Sequence, residues 1–270
     1  MNLDVAACVL VAAALAALSW ALWRAAGGRA RSRVRAAVRV GVSLVLALVL
    51  VGGGTYWLMN SRTVQLAGDH VARVETARKV VALTFDDGPD EAYVDGLLAD
   101  LRRYDARATF YVIGAAAAEQ PAALRELVAA GEEIGNHTYH HRRLVFVSTA
   151  TAGEEVTTTD AAIRAAGYGG PITVRPPYAK KLVSLPYWLA SHGRTTVMWD
   201  LEPDSMSGLW ADAQAMTRYV TGNVRPGAIV ELHPWAPGNA ASREAVPLIL
   251  AALQAKGYEF VTVSELLALR

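Results

Sequence analysis

Two stretches near the start of the chain, residues 5–23 and 40–59, carry no charged side chain. Each is long enough for a helix to cross the ~30 Å hydrocarbon layer of a bilayer. Residues 61–78 are polar without a clear period and predict a linker. From Lys79 on, short β-rich runs alternate with longer stretches of helical period. Strands are expected at 80–85, 109–113, 133–134, 172–174, 195–199, 228–232 and 258–263. Helices are expected at 91–103, 121–130, 151–166, 183–191, 212–224 and 245–256, with a short one opening at Ser264. The Asp87-Gly88-Pro89 turn ends the first strand, Pro121 opens a helix, and Gly131 and Gly167 close two others. Such alternation predicts an α/β fold: a mostly parallel sheet with helices outside. Periodicity alone does not separate an open sheet from a closed barrel.

Composition adds an address. The chain has 270 residues, 53% apolar and 19% charged, enough to bury a sizeable core without staples. Its net charge of +1 hides two opposed segments. Residues 1–60 hold six arginines against Asp4, leaving the remainder mildly acidic at −4. That balance argues against nucleic acid as a partner. Arg24, Arg29, Arg31, Arg33, Arg35 and Arg39 lie between the two apolar runs. A loop so charged stays cytoplasmic. The expectation is a multi-pass cell-membrane protein: a hairpin of two transmembrane helices over 1–60, a linker over 61–78, and a catalytic domain over 79–270 on the outer side. One signal anchor ending near Met59 is the alternative and leaves the domain on the same side. A cleavable signal peptide fits less well, since Asp4 rather than a basic segment precedes the first run. A single cysteine, Cys8, excludes a disulfide scaffold and any multi-cysteine metal site.

Reactive side chains collect where strands end, as they do in β/α folds. The first strand runs into Asp86-Asp87, the third into Asn136-His137-Thr138-Tyr139-His140-His141, the fourth into Arg175, the fifth into Asp200 to Asp204, and the sixth into His233. The turn after Asp87 breaks strand alternation, so both carboxylates can face one cavity, where their repulsion calls for a cation or an arginine between them. His137 and His141 share a face if their segment turns helically. Two neutral imidazoles and one aspartate suit a divalent metal with an open position, which marks a catalytic centre. Such a metal makes water acidic and polarises a carbonyl. Hydrolysis then needs a base and an acid, for which the second aspartate and His233 are available. Arg175 can hold a base carboxylate ionised and aimed. Residue chemistry does not say which aspartate binds metal.

These residues resemble the polysaccharide deacetylase family, carbohydrate esterase family four, also called the NodB homology domain. The likeness spans roughly 80–263. It rests on Thr84-Phe85-Asp86-Asp87-Gly88-Pro89, on His137-Thr138-Tyr139-His140-His141, and on Arg175-Pro176-Pro177-Tyr178, in that order. The resemblance implies a distorted (β/α) barrel of about seven strands. It implies Asp86 as general base, with Asp87, His137 and His141 as metal ligands. Arg175 would orient Asp86, the Tyr178 N–H would help stabilise an oxyanion, and His233 would be the general acid. The implied cofactor is a divalent metal, zinc first, with manganese, cobalt or nickel suiting such a site. The implied reaction removes N-acetyl groups from an envelope or extracellular glycan, peptidoglycan-like or an N-acetylglucosamine polymer. Partners are then that glycan and, through residues 1–60, a lipid bilayer.

The later motifs depart from the pattern. The fourth lacks a second tryptophan in Trp199-Asp200-Leu201-Glu202-Pro203-Asp204-Ser205 and is one residue short. Asp204 is expected as the partner tuning His233. The fifth motif usually carries leucine two residues before the histidine, where it lines the acetyl-methyl pocket. Here Glu231 holds that place and Leu232 follows, so Leu232 is expected at the substrate. His140 is an alternative ligand to His141. Trp188, Trp210 and Trp235 are candidates for stacking on sugar rings or for the core. An O-acetyl esterase, a non-sugar amidase and a glycan-binding relic are the competing functions. A carboxylate-pair glycosidase would not need the paired histidines.

Overall fold

The structure is a computed structural model and describes residues 20, 21, 24 and 28–270. The chain divides into two compact units, Met1–Leu58 and Met59–Arg270. Helix α1, Gly28–Asn60, dominates the described part of the first. Its segment Arg35–Asn60 is apolar and long enough to cross a membrane. The arginine-rich stretch, expected as a loop, is helical from Gly28 onward. Alanine and arginine are both strong helix formers, which explains the difference. The first apolar run, 5–23, lies outside the described residues except at Trp20 and Ala21. Among the described residues there is therefore one helix of spanning length, where two were expected.

In the second unit, β1 is His70–Val71, within the segment whose polar pattern predicted a linker. It pairs in parallel with β5, Thr196–Val197. The central strand β2, Val80–Asp87, pairs in parallel with β3, Ala108–Val112, and with β6, Ala228–Leu232; β3 in turn pairs with β4, Glu133–Asn136. Strand β7, Glu259–Phe260, pairs with the start of β2. The strand expected at 172–174 contributes only isolated bridges, from Val174 to Asn136 and to Thr196. A further bridge joins Leu201 to Val230.

Strand alternation sorts side chains between two buried faces. Val81, Leu83 and Phe85 of β2 pack with Val230 and Leu232 of β6 in the large core under the helices. Val80 and Ala82 point the other way, packing with Tyr111 and Ile229. Thr84 and Asp86 continue that inner face and meet Arg175 there.

The helices close the outer core. α2, Glu91–Arg103, buries Val94, Leu97, Leu98 and Leu101 on one face, and the Asp90 carboxylate caps its first turn by accepting the Ala92 N–H. α3, Gly114–Glu119, is an extra helix of six residues, too short to show a periodic apolar face. It is followed by α4, Pro121–Ala129, and α5, Thr149–Ala165. Then come α6, Ser184–Ser191, α7, Ala213–Asn223, and α8, Ala240–Ala255. α8 starts five residues before the expected 245 and holds Pro247 in its interior. The last strand is shorter than expected because Thr262 caps α9, Val263–Leu267: its hydroxyl and Glu265 form a reciprocal capping box.

Candidate active site

Asp86 is the last inward residue of β2, and it is fully buried. Asp87 follows with φ 84, a left-handed backbone that cancels the alternation and turns its carboxylate toward the same cavity as Asp86. Gly88 is needed at the turn: a Cβ there would stand 2.2 Å from the Trp235 ring. His137 sits just past β4, its N–H donating to the Val112 carbonyl. Its Nδ1 lies 2.8 Å from the Arg175 carbonyl, so that nitrogen carries the hydrogen and Nε2 presents its lone pair to the cavity. Asp87 Oδ1 is 3.6 Å from His137 Nε2 and 3.1 Å from His141 Nε2. Left-handed Thr138 and His141, at φ 66 and 54, fold the intervening loop tightly enough for both rings to converge. Strained backbone of this kind gathers at functional sites.

Glu155 of α5 holds that loop. One oxygen accepts the N–H groups of Tyr139 and His140, and the other lies 2.8 Å from His140 Nδ1. His140 is thus engaged on the far side of the loop, and His141 is the ring beside Asp87. Nothing in the local sequence pointed to Glu155, which lies fifteen residues on within a helical pattern.

The cluster fits a divalent cation. Ligand atoms of Asp87, His137 and His141 lie within 4.8 Å of one another. Asp87 Oδ1 is buried yet accepts no hydrogen bond. Orphaned buried carboxylate oxygens are costly and call for a positive partner. Burial, then the neighbouring His137, lowers the His141 pKa and keeps its ring neutral, the form that ligates metal.

Arg175 is fully buried. It donates to Asp86 Oδ1 at 2.6 Å and to Thr84 Oγ1 at 2.8 Å, and its Nη2 reaches the Met198 carbonyl at 3.2 Å. Its guanidinium stacks over the Tyr111 ring, 4.1 Å from the centroid. Burial pushes the Asp86 carboxyl up, but the Arg175 charge beside it outweighs that, leaving the group below the usual range and ionised. Glu231, also inward, is 2% exposed. Burial and the Asp86 charge hold its carboxyl well above the usual range.

His233 stands two residues beyond Glu231 on the same face. Asp204 accepts its backbone N–H at 2.6 Å on Oδ2, and Oδ1 lies 3.2 Å from Nδ1. The Ser242 hydroxyl of α8 donates to Asp204 Oδ2 at 2.7 Å, fixing the carboxylate. Burial lowers the His233 pKa, but the Asp204 hydrogen bond and the charges of Asp204, Asp86 and Asp87 push it up to about 9. At neutral pH the ring is an imidazolium with Nε2 free to donate.

Asp87, His137, His141, Glu231 and His233 border a cavity of about 550 Å³. Tyr178 is at its rim, half-exposed and left-handed at φ 58. Among the described residues no hydrogen bond uses its backbone N–H. Leu232 does not line the cavity, contrary to expectation: it packs in the outer core, and the inward place belongs to Glu231. The physical reason is the two-residue period of β6. Trp235 packs against Phe110 in the core, and Trp188 is half-buried and stacked on His192. Trp210 is exposed. Trp199, not singled out as a sugar contact, borders the cavity and donates from Nε1 to Glu202 at 2.7 Å.

Comparison with known proteins gives the same picture. Residues 73–197 match the family model described as polysaccharide deacetylase. A peptidoglycan-N-acetylglucosamine deacetylase of Bacillus cereus is 34% identical over 68% of this chain and 66% of its own. Another B. cereus protein of that name is 31% identical over 72% of this chain and 91% of its own. Several matching relatives are longer, so that the chain spans 66% of one and 39% of others. Among solved structures, the Bc1960 peptidoglycan N-acetylglucosamine deacetylase superposes with a TM-score of 0.68 at 29% identity, covering 73% of this chain and 92% of that one. With Asp87, His137 and His141 on one cavity and Arg175 buried against the adjacent Asp86, the chain belongs to the polysaccharide deacetylase family.

Proposed function

We propose that this protein is a metal-dependent hydrolase that removes N-acetyl groups from an envelope glycan, releasing acetate. The observation that carries it is the meeting of two differently tuned sets at one cavity. Asp87, His137 and His141 present lone pairs to a common point, while ionised Asp86 and protonated His233 flank it. Asp86, aimed by Arg175, takes a proton from water at its Oδ2 side. His233, charged through Asp204, gives its proton from Nε2 to the departing amine nitrogen. The Tyr178 N–H faces no internal acceptor and donates to the oxygen on which charge develops. Asp87, His137 and His141 would hold a divalent cation, zinc first and manganese, cobalt or nickel next, which when bound would supply a Lewis acid for the carbonyl and lower the pKa of water. The family likeness supports an N-acylated sugar as substrate, and the names of the relatives support peptidoglycan.

The same proposal includes a distorted barrel. The bridges of Val174 to Asn136 and Thr196, and of Leu201 to Val230, support closure between β4, β5 and β6. It also includes a bilayer anchor through residues 1–60, with 61–78 leading to the catalytic domain on the outer face, supported by the apolar length of α1. A second span at 5–23 belongs to this proposal through its uncharged sequence.

The test is acetate release by the full chain from peptidoglycan and N-acetylglucosamine oligomers. Turnover by the wild type and its loss in Asp86→Asn is the expected result. Binding without turnover would instead mark a glycan-binding relic.

A further inference from the structure

The acyl end of the cavity is walled by an acid. Ile229, Glu231 and His233 occupy alternate positions along and just beyond β6, so Glu231 shares the inner face with the group that meets the leaving nitrogen. One ligand atom each of Asp86, Glu231 and His233 lies within 4.8 Å of the others. Glu231 Oε1 is 3.7 Å from His233 Nε2 and 3.9 Å from Arg175 Nη1, beyond hydrogen-bond reach of both. Oε2 is buried and finds a partner only if one proton is held between Glu231 and Asp86. A carbonyl carbon attacked by water at Asp86, with its nitrogen at His233, must lie close to Glu231, whose ligand atom is within 4.8 Å of both. Glu231 is 2% exposed, whereas Tyr178 on the same cavity is 50% exposed, so the Glu231 end suits a small substituent better than a sugar ring. The small acyl substituent is what Glu231 faces.

A methyl group there would take Oε1 from water and leave it without a partner, which buried polar groups do not tolerate cheaply. A hydroxyl on the carbon next to the carbonyl would supply that partner. It can donate to a carboxylate or accept from a carboxylic acid, so the pairing holds in either state of Glu231.

Resting on the deacylase reading above, we propose that Glu231 is a specificity-determining residue that selects N-acyl groups bearing an α-hydroxyl, of the N-glycolyl class, over N-acetyl. The reaction balances as a hydrolysis. Water forms the new C–O bond and loses a proton to Asp86, the C–N bond breaks, His233 protonates the nitrogen, and glycolate leaves.

The experiment compares kcat/KM of the full, metal-loaded chain on chitotetraose and on its N-glycolyl counterpart. The wild type is expected to favour the glycolyl substrate by about tenfold or more. Glu231→Leu is expected to reverse that ratio, and Glu231→Gln, which keeps a donor and an acceptor, to retain it. Equal rates, an acetyl preference in the wild type, or an unchanged ratio in Glu231→Leu would overturn the inference while leaving the deacylase intact. Release of neither acid by the wild type would remove the deacylase reading and this one with it. Should Glu231→Leu fail to fold, thermal unfolding of the wild type decides. Glycolate should raise the Tm at lower concentration than acetate, and equal effects would overturn the proposal.

Discussion

Arg175 Nη1 lies 2.6 Å from Asp86 Oδ1, and neither side chain is exposed to solvent. The two residues are 89 apart in sequence. Desolvating both charges is costly, so what the pair secures is the direction and ionisation of Asp86 rather than net stability. Removing one partner is another matter. Arg175→Ala leaves a buried uncompensated carboxylate and should cost about 3–5 kcal/mol in chemical denaturation. Arg175→Lys should fold better but lose most turnover, because an ammonium cannot span Thr84, Asp86 and the Met198 carbonyl together.

His233 is expected to titrate near 9 in the metal-free protein, measured by NMR of its ring protons. Its folded value lies above the 6.5 of a free histidine, so its charge stabilises the fold fully below about 6.5. That contribution is lost as pH rises through 9. Asp204→Asn should pull the titration down toward the free value and move the alkaline limb of kcat/KM with it. A limb that stays in place would show that another group is the acid.

His137→Ala removes the imidazole fixed by the Arg175 carbonyl and should abolish both retention of a divalent cation and turnover, read by metal analysis and acetate assay. Chelation of the wild type should stop acetate release, and added zinc should restore it. Full metal occupancy in His137→Ala would mean that the ligand set is different.

Glu155→Ala should act on the metal site without touching it. The substitution frees the N–H groups of Tyr139 and His140 and releases the His140 ring, so the loop carrying His137 and His141 loses its clamp. Supporting partners of metal ligands are typically worth about 10–100-fold in affinity. A drop of that size in a competition titration, with Tm changed by only a few degrees, is the expected outcome.

Much of this protein was legible in one dimension. The apolar runs, the β/α alternation and the residues at strand ends follow from local pattern, because a strand buried on both faces reads as a short apolar run ended by turn residues. Asp86, Asp87, His137, His141, Arg175 and His233 were found that way and through the family motifs that contain them. The short elements were less legible. Val174 pairs by single bridges rather than a ladder, and α3 is only six residues long, so neither leaves a period to read.

What the sequence determined by itself was which chemical groups the strand ends offer. Only the tertiary structure decided what those groups touch. It turned Leu232 into the helix-facing core and Glu231 onto the cavity, set Glu155 against the histidine loop, and joined Asp204 to His233 and Ser242. Each of these depends on contacts between residues far apart in the chain, fixed by the register of β2 against β6 and by the depth at which a helix seats on the sheet. Local patterns carry no record of either, since both emerge only when the whole core packs.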